Sequence, residues 1–487
     1  SVGQVDVYGL LDHGIDRTTS GREVKPEDDL RGIALAEDTT KLSEHWLLQT
    51  QLSLISDPTF VTYWRQDDFV NRREYESSVY LKYQNDRTAL TLLGKYNFDH
   101  FLSNDYLLAS RQYSVNKLPE LTYRRYADTF FDDRLSYSSE SRLSRLGFSF
   151  EERTPREIGV RGRAFGLGEN DDISDALRAR GLNTKYVDRF DTRHEFTLPM
   201  EYGPVGVSPF VVGRLTAYDS DFDEFSSDSD ALRVFGAVGV RLNTQIQRVY
   251  NDVESRLFGL HRLRHVVEPN ITIWHGYSTV SQDDLPEYDP EVESLVTGSA
   301  IKLGVVNTWQ TQRGGPGRWY SVDVLTWNNE FIFTSDDGER ESPTPQFFDY
   351  RPEYSQFGDH FHSAFTWQIS DSLALSGDGT YDLDEHQLDR GAIGIELRHT
   401  PNFSTYIEYR TIKIDDTELL SIGWNYQITA KYFLSLSPDY DFHKEDFRSV
   451  TARLTRRFPD VDFTVRMRYD QIQNDTSIGA SMEFVSF

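Results

Sequence analysis

The chain has no cysteine, so disulfides, thiolate metal sites and a cysteine nucleophile are all excluded. It also lacks any apolar run of about 18 residues, which excludes a membrane-spanning helix. Basic residues are in deficit, 51 against 78 acidic, for a net charge of −27. Phosphate binding needs a basic surface, so nucleic acid is not expected as a partner. What the chain has in quantity is aromatic: 14% of its residues, with 27 tyrosines.

Those aromatics sit in a regular pattern. From 372 to 487 apolar and polar residues alternate. Leu373, Leu375, Gly377, Gly379, Tyr381 and Leu383 oppose Ala374, Ser376, Asp378, Thr380 and Asp382. Leu420, Ile422, Trp424, Tyr426 and Ile428 oppose Ser421, Gly423, Asn425, Gln427 and Thr429. Val461, Phe463, Val465, Met467 and Tyr469 oppose Asp462, Thr464, Arg466, Arg468 and Asp470. A strand sends successive side chains to opposite faces, so this is strand after strand, each with one apolar and one polar face.

A soluble antiparallel sandwich or propeller would alternate too. Two features favour a membrane barrel. The apolar faces begin and end on Tyr, Trp or Phe, as at two lipid interfaces, and the polar faces carry Arg, Asp and Glu in mid-strand, which suits a wet lumen. The last residue, Phe487, follows Ile478, Ala480, Met482 and Phe484, similar to the terminal aromatic of bacterial outer-membrane barrels, although the parity slips by one before it. Upstream strands are expected at 5–11, 31–37, 45–55, 79–83, 89–96, 121–126, 135–139, 146–151, 196–200, 205–218, 232–242, 266–277, 301–310, 319–333 and 360–369, with a short helix inside 170–177. Short turns at 371–372, 400–402, 430–431 and 459–460 contrast with long acidic connections near 219–230, 278–299 and 334–355. The expected fold is all-β: one large antiparallel transmembrane β-barrel over 1–487, with about 23 strands (roughly 22 to 26), short periplasmic turns and long, exposed acidic external loops. An exported barrel needs a signal peptide at synthesis, and none stands at Ser1, so this is expected to be a mature or further trimmed form.

Signs of chemistry are weak. His360 and His362 share a strand face, close enough to share a metal, but no third ligand is identifiable and a lumen-lining pair is favoured. The carboxylates Asp219, Asp221, Asp223, Glu224, Asp228 and Asp230 lack the glycine and closing Glu of a calcium loop; a solvated loop is favoured over a weak divalent-cation site. No cofactor is expected. The stretch from Arg313 to Arg318 is glycine-rich but lacks the lysine and spacing of a phosphate loop. Nothing local marks a hydrolase pair, so an enzyme is not expected. Arg453, Arg457, Arg466 and Arg468 fall beside Asp462 and Asp470 on the polar parity, as a charge ladder that stiffens a lumen wall or a track for anionic sugars; the ladder is favoured.

Several segments in order resemble a known family. Ser56-Asp57-Pro58-Thr59-Phe60 follows a strand containing Trp46. Leu118-Pro119-Glu120-Leu121 introduces a later one. Arg193-His194-Glu195-Phe196 leads to Pro199, and Leu263-Arg264-His265-Val266-Val267-Glu268-Pro269 opens a strand ending at Tyr277. Together they resemble the lipopolysaccharide-assembly translocon of the outer membrane, the LptD/OstA-like barrels. The resemblance implies an integral outer-membrane barrel that takes lipopolysaccharide or a related glycolipid from a periplasmic bridge and releases it into the outer leaflet. It also implies a plug lipoprotein (LptE-like) in the lumen and a lateral seam opening to membrane lipid. One lip of that seam would be the last strand: Ser477, Ile478, Gly479, Ala480, Ser481, Met482, Glu483, Phe484, Val485, Ser486 and Phe487. The family's periplasmic jelly-roll and first few strands are expected to be missing from this chain. A porin- or transporter-type channel and a structural or adhesive barrel are the alternatives.

Overall fold

The computed structural model describes the chain except residues 1, 19–21, 66–74, 99–112, 163–165, 221, 227–230, 336–341, 343, 415, 444, 472–474 and 485–487. Among the described residues, twenty-four strands form one antiparallel sheet, and no helix is long and apolar enough to cross a membrane. Two strands are continuations. Met200–Tyr202 extends Val187–Thr197 past Pro199, and both pair with Val205–Tyr218. Ile246–Ser255 extends Leu232–Thr244, and both pair with Leu260–Ser278. Counting each as one with its predecessor leaves 22 among the described residues.

The C-terminal alternation predicts its strands well: Leu373–Asp382, Gln387–Thr400, Thr417–Thr429, Tyr432–Asp441 and Val461–Asp470 are all formed. Upstream, four expectations change. The segment 196–200 is not one strand: Val187–Thr197 ends within it and Met200–Tyr202 resumes after Pro199. The segment 121–126 is the middle of an 18-residue strand, Tyr113–Phe130. The segments 135–139 and 146–151 belong to one strand, Leu135–Phe150, because the stretch between them continues the alternation, with Glu140, Arg142 and Ser144 buried and Leu143 and Arg145 exposed, rather than forming a loop. Ile246–Ser255 has no place in the sequence reading, since both of its faces are largely exposed and it shows no apolar parity. The loop-length asymmetry also stops early. After His360 the connections at both ends are short, for example between Asp382 and Gln387.

Two compact units are present: Ser1–Pro199 with Pro209–Val238 and Gly276–Thr297, and Met200–Ser208 with Gly239–His275 and Gly298–Phe487. In the first, register fixes which side chains share a face. Leu121, Leu143, Phe190 and Ala217 lie opposite one another across four strands. The first three are large apolar side chains left exposed. The rows on either side face the other way and are polar and mostly buried: Glu120, Ser144, Arg189 and Tyr218, then Thr122, Arg142, Asp191 and Thr216. In a soluble sheet the buried face would be the apolar one. Here the inversion puts apolar groups where lipid would be and pairs the charges inside.

One apolar cluster in this unit packs Leu146, Phe148, Phe150, Ile158, Ile173, Leu177, Val187, Tyr218, Phe222, Val280, Leu285 and Tyr288 together. It joins strand ends to three connections, including the short helix Ile173–Ala179 anticipated within 170–177. In the second unit, the segment before His360 folds back so that Phe357 is buried edge-on against Trp274, ring centroids 6.0 Å apart.

Candidate functional site

The connection 279–297 is not the exposed acidic loop its composition suggests. Val292, Glu293 and Val296 are completely buried. The reason is the polar sheet face beneath it. Arg189, wholly buried, donates to Glu293 Oε1 at 2.7 Å and to Asp289 Oδ2 at 2.6 Å. Tyr218 donates its hydroxyl proton to the same Glu293 oxygen at 2.7 Å. Lys117 reaches Asp289 Oδ1 at 2.7 Å, and Arg142 reaches Glu291 Oε2 at 2.7 Å. Arg214 donates to the Glu291 carbonyl at 2.7 Å while holding Asp191 in a two-pronged pair at 2.8 Å each. Arg233 donates to the carbonyls of Val292 and Glu293. The loop shapes itself for this: the Asp289 amide donates to Glu293 Oε2 at 2.6 Å, turning 289–293 into a hook.

Burial would push the Asp289 carboxyl up, but the charges of Arg189 and Lys117 hold it well below the usual carboxylate range. Burial, helped by the Glu293 charge, pushes the Tyr288 phenol up.

Family-motif residues turn out to build this site and a second one. Lys117 and Glu120 oppose Leu146 and Ser144, so three steps on one strand face two on the next. That is a β-bulge, and Leu118 and Pro119 lie inside it; proline, lacking an N–H, is accommodated at such a break. The bulge lets Lys117 and Glu120 face the same way, with Nζ 3.2 Å from both carboxylate oxygens. Asp57 meets the buried Arg31, whose Nη2 lies 2.8 Å from Asp57, 2.6 Å from Asp16 and 3.1 Å from Thr59. Burial would raise Asp57; hydrogen bonds from Arg31, Ser56 and Thr59 bring it below its ordinary value. Pro58 is buried beside them. In the second unit His265 lies flat on Trp309, centroids 4.4 Å apart, and bonds Asn307 Oδ1 at 3.0 Å. Gln245 donates to Glu268 at 3.3 Å, and Pro269 lies in the same strand, Leu260–Ser278.

The other sequence candidates are placed as follows. Arg453, Arg457, Arg466, Arg468, Asp462 and Asp470 share one face by register: Arg453 opposes Arg466 and Arg457 opposes Asp462. Arg468 donates to Asp470 at 3.1 Å. The His360 ring nitrogen Nδ1 donates to the Gly358 carbonyl at 2.7 Å, and His362 bonds Thr380 Oγ1 at 3.2 Å. Among the described residues no group of three or more His, Asp or Glu could hold a metal ion. Asp219 Oδ1 caps the Asp188 amide at 2.8 Å, and Phe222 in that acidic connection is buried; Asp221, Asp228 and Asp230 lie outside the described residues. The strand Asp475–Phe484 pairs in register with Val461–Asp470, from Asp475 against Asp470 to Phe484 against Val461. Val485, Ser486 and Phe487 lie outside the described residues. Sequence reasoning missed Arg31, Lys117, Arg142, Arg189, Arg214 and Arg233. The one available signal was their shared parity with other charged residues on strands that also carry apolar residues.

An antiparallel sheet with lipid-suited side chains on one face and ion pairs on the other is the sheet of an outer-membrane β-barrel. Residues 29–295 match the family LptD, LPS transport system D. The chain belongs to that family, and is an integral outer-membrane barrel of lipopolysaccharide transport rather than a member of an enzyme family. Arg31, Asp57, Lys117, Arg189 and Glu293 all fall within the matched span. Some solved structures show a distant likeness. The ferric-catecholate import receptor Fiu from E. coli K12 is 9% identical, covering 99% of this chain and 80% of its own at a TM-score of 0.38. The FrpB iron transporter from Neisseria meningitidis is 11% identical, covering 90% and 74% at 0.35. The P pilus usher (PapC) translocation pore is 8% identical, covering 100% and 99% at 0.33. No curated protein matches the sequence.

Proposed function

We propose that this barrel hands lipopolysaccharide to the outer leaflet through a lateral seam, its sugar portion passing along a polar lumen while its acyl chains stay in lipid. No bond is made or broken. The match to the lipopolysaccharide-transport family supports this most directly, together with a sheet whose one face exposes apolar side chains such as Leu121, Leu143 and Phe190 and whose other face carries paired charges. On this reading Asp475–Phe484 is one lip. Arg453, Arg457, Arg466, Arg468, Asp462, Asp470, His360 and His362 line the lumen. A small plug lipoprotein and a periplasmic bridge complete the machine.

Mass spectrometry of the protein purified from its native outer membrane tests this. Lipopolysaccharide and a small lipoprotein at about equal stoichiometry are the expected companions. A barrel that comes alone and conducts ions steadily in planar bilayers is a passive channel, and the translocon reading fails.

A further inference from the structure

The hook-gripping face has more positive charge than its own strands neutralise. Five strand cations touch the hook: Lys117, Arg142, Arg189, Arg214 and Arg233. Three strand carboxylates are paired with them: Glu120 with Lys117 and Arg189, Glu140 with Arg142, and Asp191 with Arg214. Two positive charges are left over, in a protein whose net charge is −27. The hook answers with three carboxylates, Asp289, Glu291 and Glu293, and with carbonyl oxygens at 291, 292 and 293.

A loop that needed only anchoring could be held as well by apolar contacts, because a buried ion pair roughly breaks even against well-packed hydrophobic residues. Val292 and Leu295 supply such contacts already. What the cations add is selectivity for oxyanions, and guanidinium groups suit carboxylate and phosphate alike. Exchanging one oxyanion for another leaves every buried cation compensated, so the exchange avoids the penalty of an empty pocket.

We propose that the face formed by Lys117, Arg142, Arg189, Arg214 and Arg233 is a binding site for the phosphate or carboxylate groups of an anionic saccharide, and that the hook 289–293 occupies it as an internal stand-in until such a ligand displaces it. This rests on the transport reading for its choice of ligand, the anionic sugar part of the cargo. It can fail on its own, because its test involves no transport.

Isothermal titration of the purified full chain in detergent, with glucose 6-phosphate, glucuronate and glucose as probes, tests the site. The triple variant D289N/E291Q/E293Q should bind at least one of the two anionic sugars at least tenfold more tightly than the unaltered protein does, with no gain for glucose. The phosphate and carboxylate arms tell which oxyanion is preferred. Adding R189Q and R214Q should abolish the gain. Folding is checked by the heat-dependent gel mobility of the barrel, and hook release by protease cleavage within 286–297. If the folded triple variant is cleaved there but binds neither anion better, the site does not exist. If its hook stays protected, the carboxylates do not hold it and the stand-in idea falls as well. Should all variants prove unfolded, saturating the unaltered protein with glucose 6-phosphate or glucuronate should produce new cleavage within 286–297 that glucose does not, and unchanged protection overturns the proposal.

Discussion

Arg189 and Glu293 are 104 residues apart in the chain, yet their side chains meet at 2.7 Å with neither exposed to solvent. Removing one member of a buried pair leaves an uncompensated charge, at a cost of about 3–5 kcal/mol. Arg189→Met should therefore free the hook, seen as new protease cleavage between Tyr288 and Thr297. The double change Arg189→Met with Glu293→Leu removes both charges and should restore most of the protection. Equal cleavage in the single and double variants would show that packing, not charge, seats the loop.

The hook should resist mild acid. Asp289 titrates lower in the folded protein than in the unfolded chain. A group shifted this way contributes stability that is fully present above its unfolded value, about 3.9, and is lost as pH falls through the folded value. Hydrogen exchange at Asp289 to Glu293 should stay slow from neutral pH to about pH 5 and rise only in stronger acid. In Asp289→Asn that part of the acid response should vanish. Opening already at pH 6 in the unaltered protein would contradict this.

Leu118 can be tested by deletion. Without the bulge's extra residue, Lys117 stands two residues before Glu120, and plain alternation keeps both on the buried face opposite Leu146 and Ser144. The hook should therefore stay protected from protease in the deletion variant, whereas Lys117→Met, which keeps the bulge, should expose it. Exposure of the hook by the deletion would show that the bulge itself shapes the grip.

Gly32 sits where the first strand comes closest. A Cβ there would lie 2.5 Å from the Tyr8 carbonyl oxygen, and backbone must give way. Gly32→Ala should speed amide exchange in Val2–Leu11, whereas Gly94→Ala, with nothing within 4 Å of the new atom, should leave it unchanged.

How far the sequence could be read depended on where each strand's partners lie. Leu373–Asp382 and Val461–Asp470 are legible because lipid-facing and polar residues alternate without interruption. Leu135–Phe150 is broken on paper by Glu140 to Arg145, a stretch that looks like a loop. Its charges make sense only beside Asp191 on the next strand and Glu291 on the hook, some 50 and 150 residues away. The same distance hides the site: the acidity of 279–297 is visible, but the arginines that bury it are scattered over four strands. Asp57 could be picked out only by resemblance, since its partner Arg31 is one charged residue among many in the sequence.

Every side chain that grips the hook, from Lys117 to Arg233, lies ahead of Asp289 in the chain. A polypeptide that stops between residues 233 and 289 has made the five cations and none of the three carboxylates. The first unit thus reports its own completion: until the hook is synthesised and seated, the polar face is electrically unfinished, and what distinguishes a complete chain from an interrupted one is a few residues near the far end of the unit.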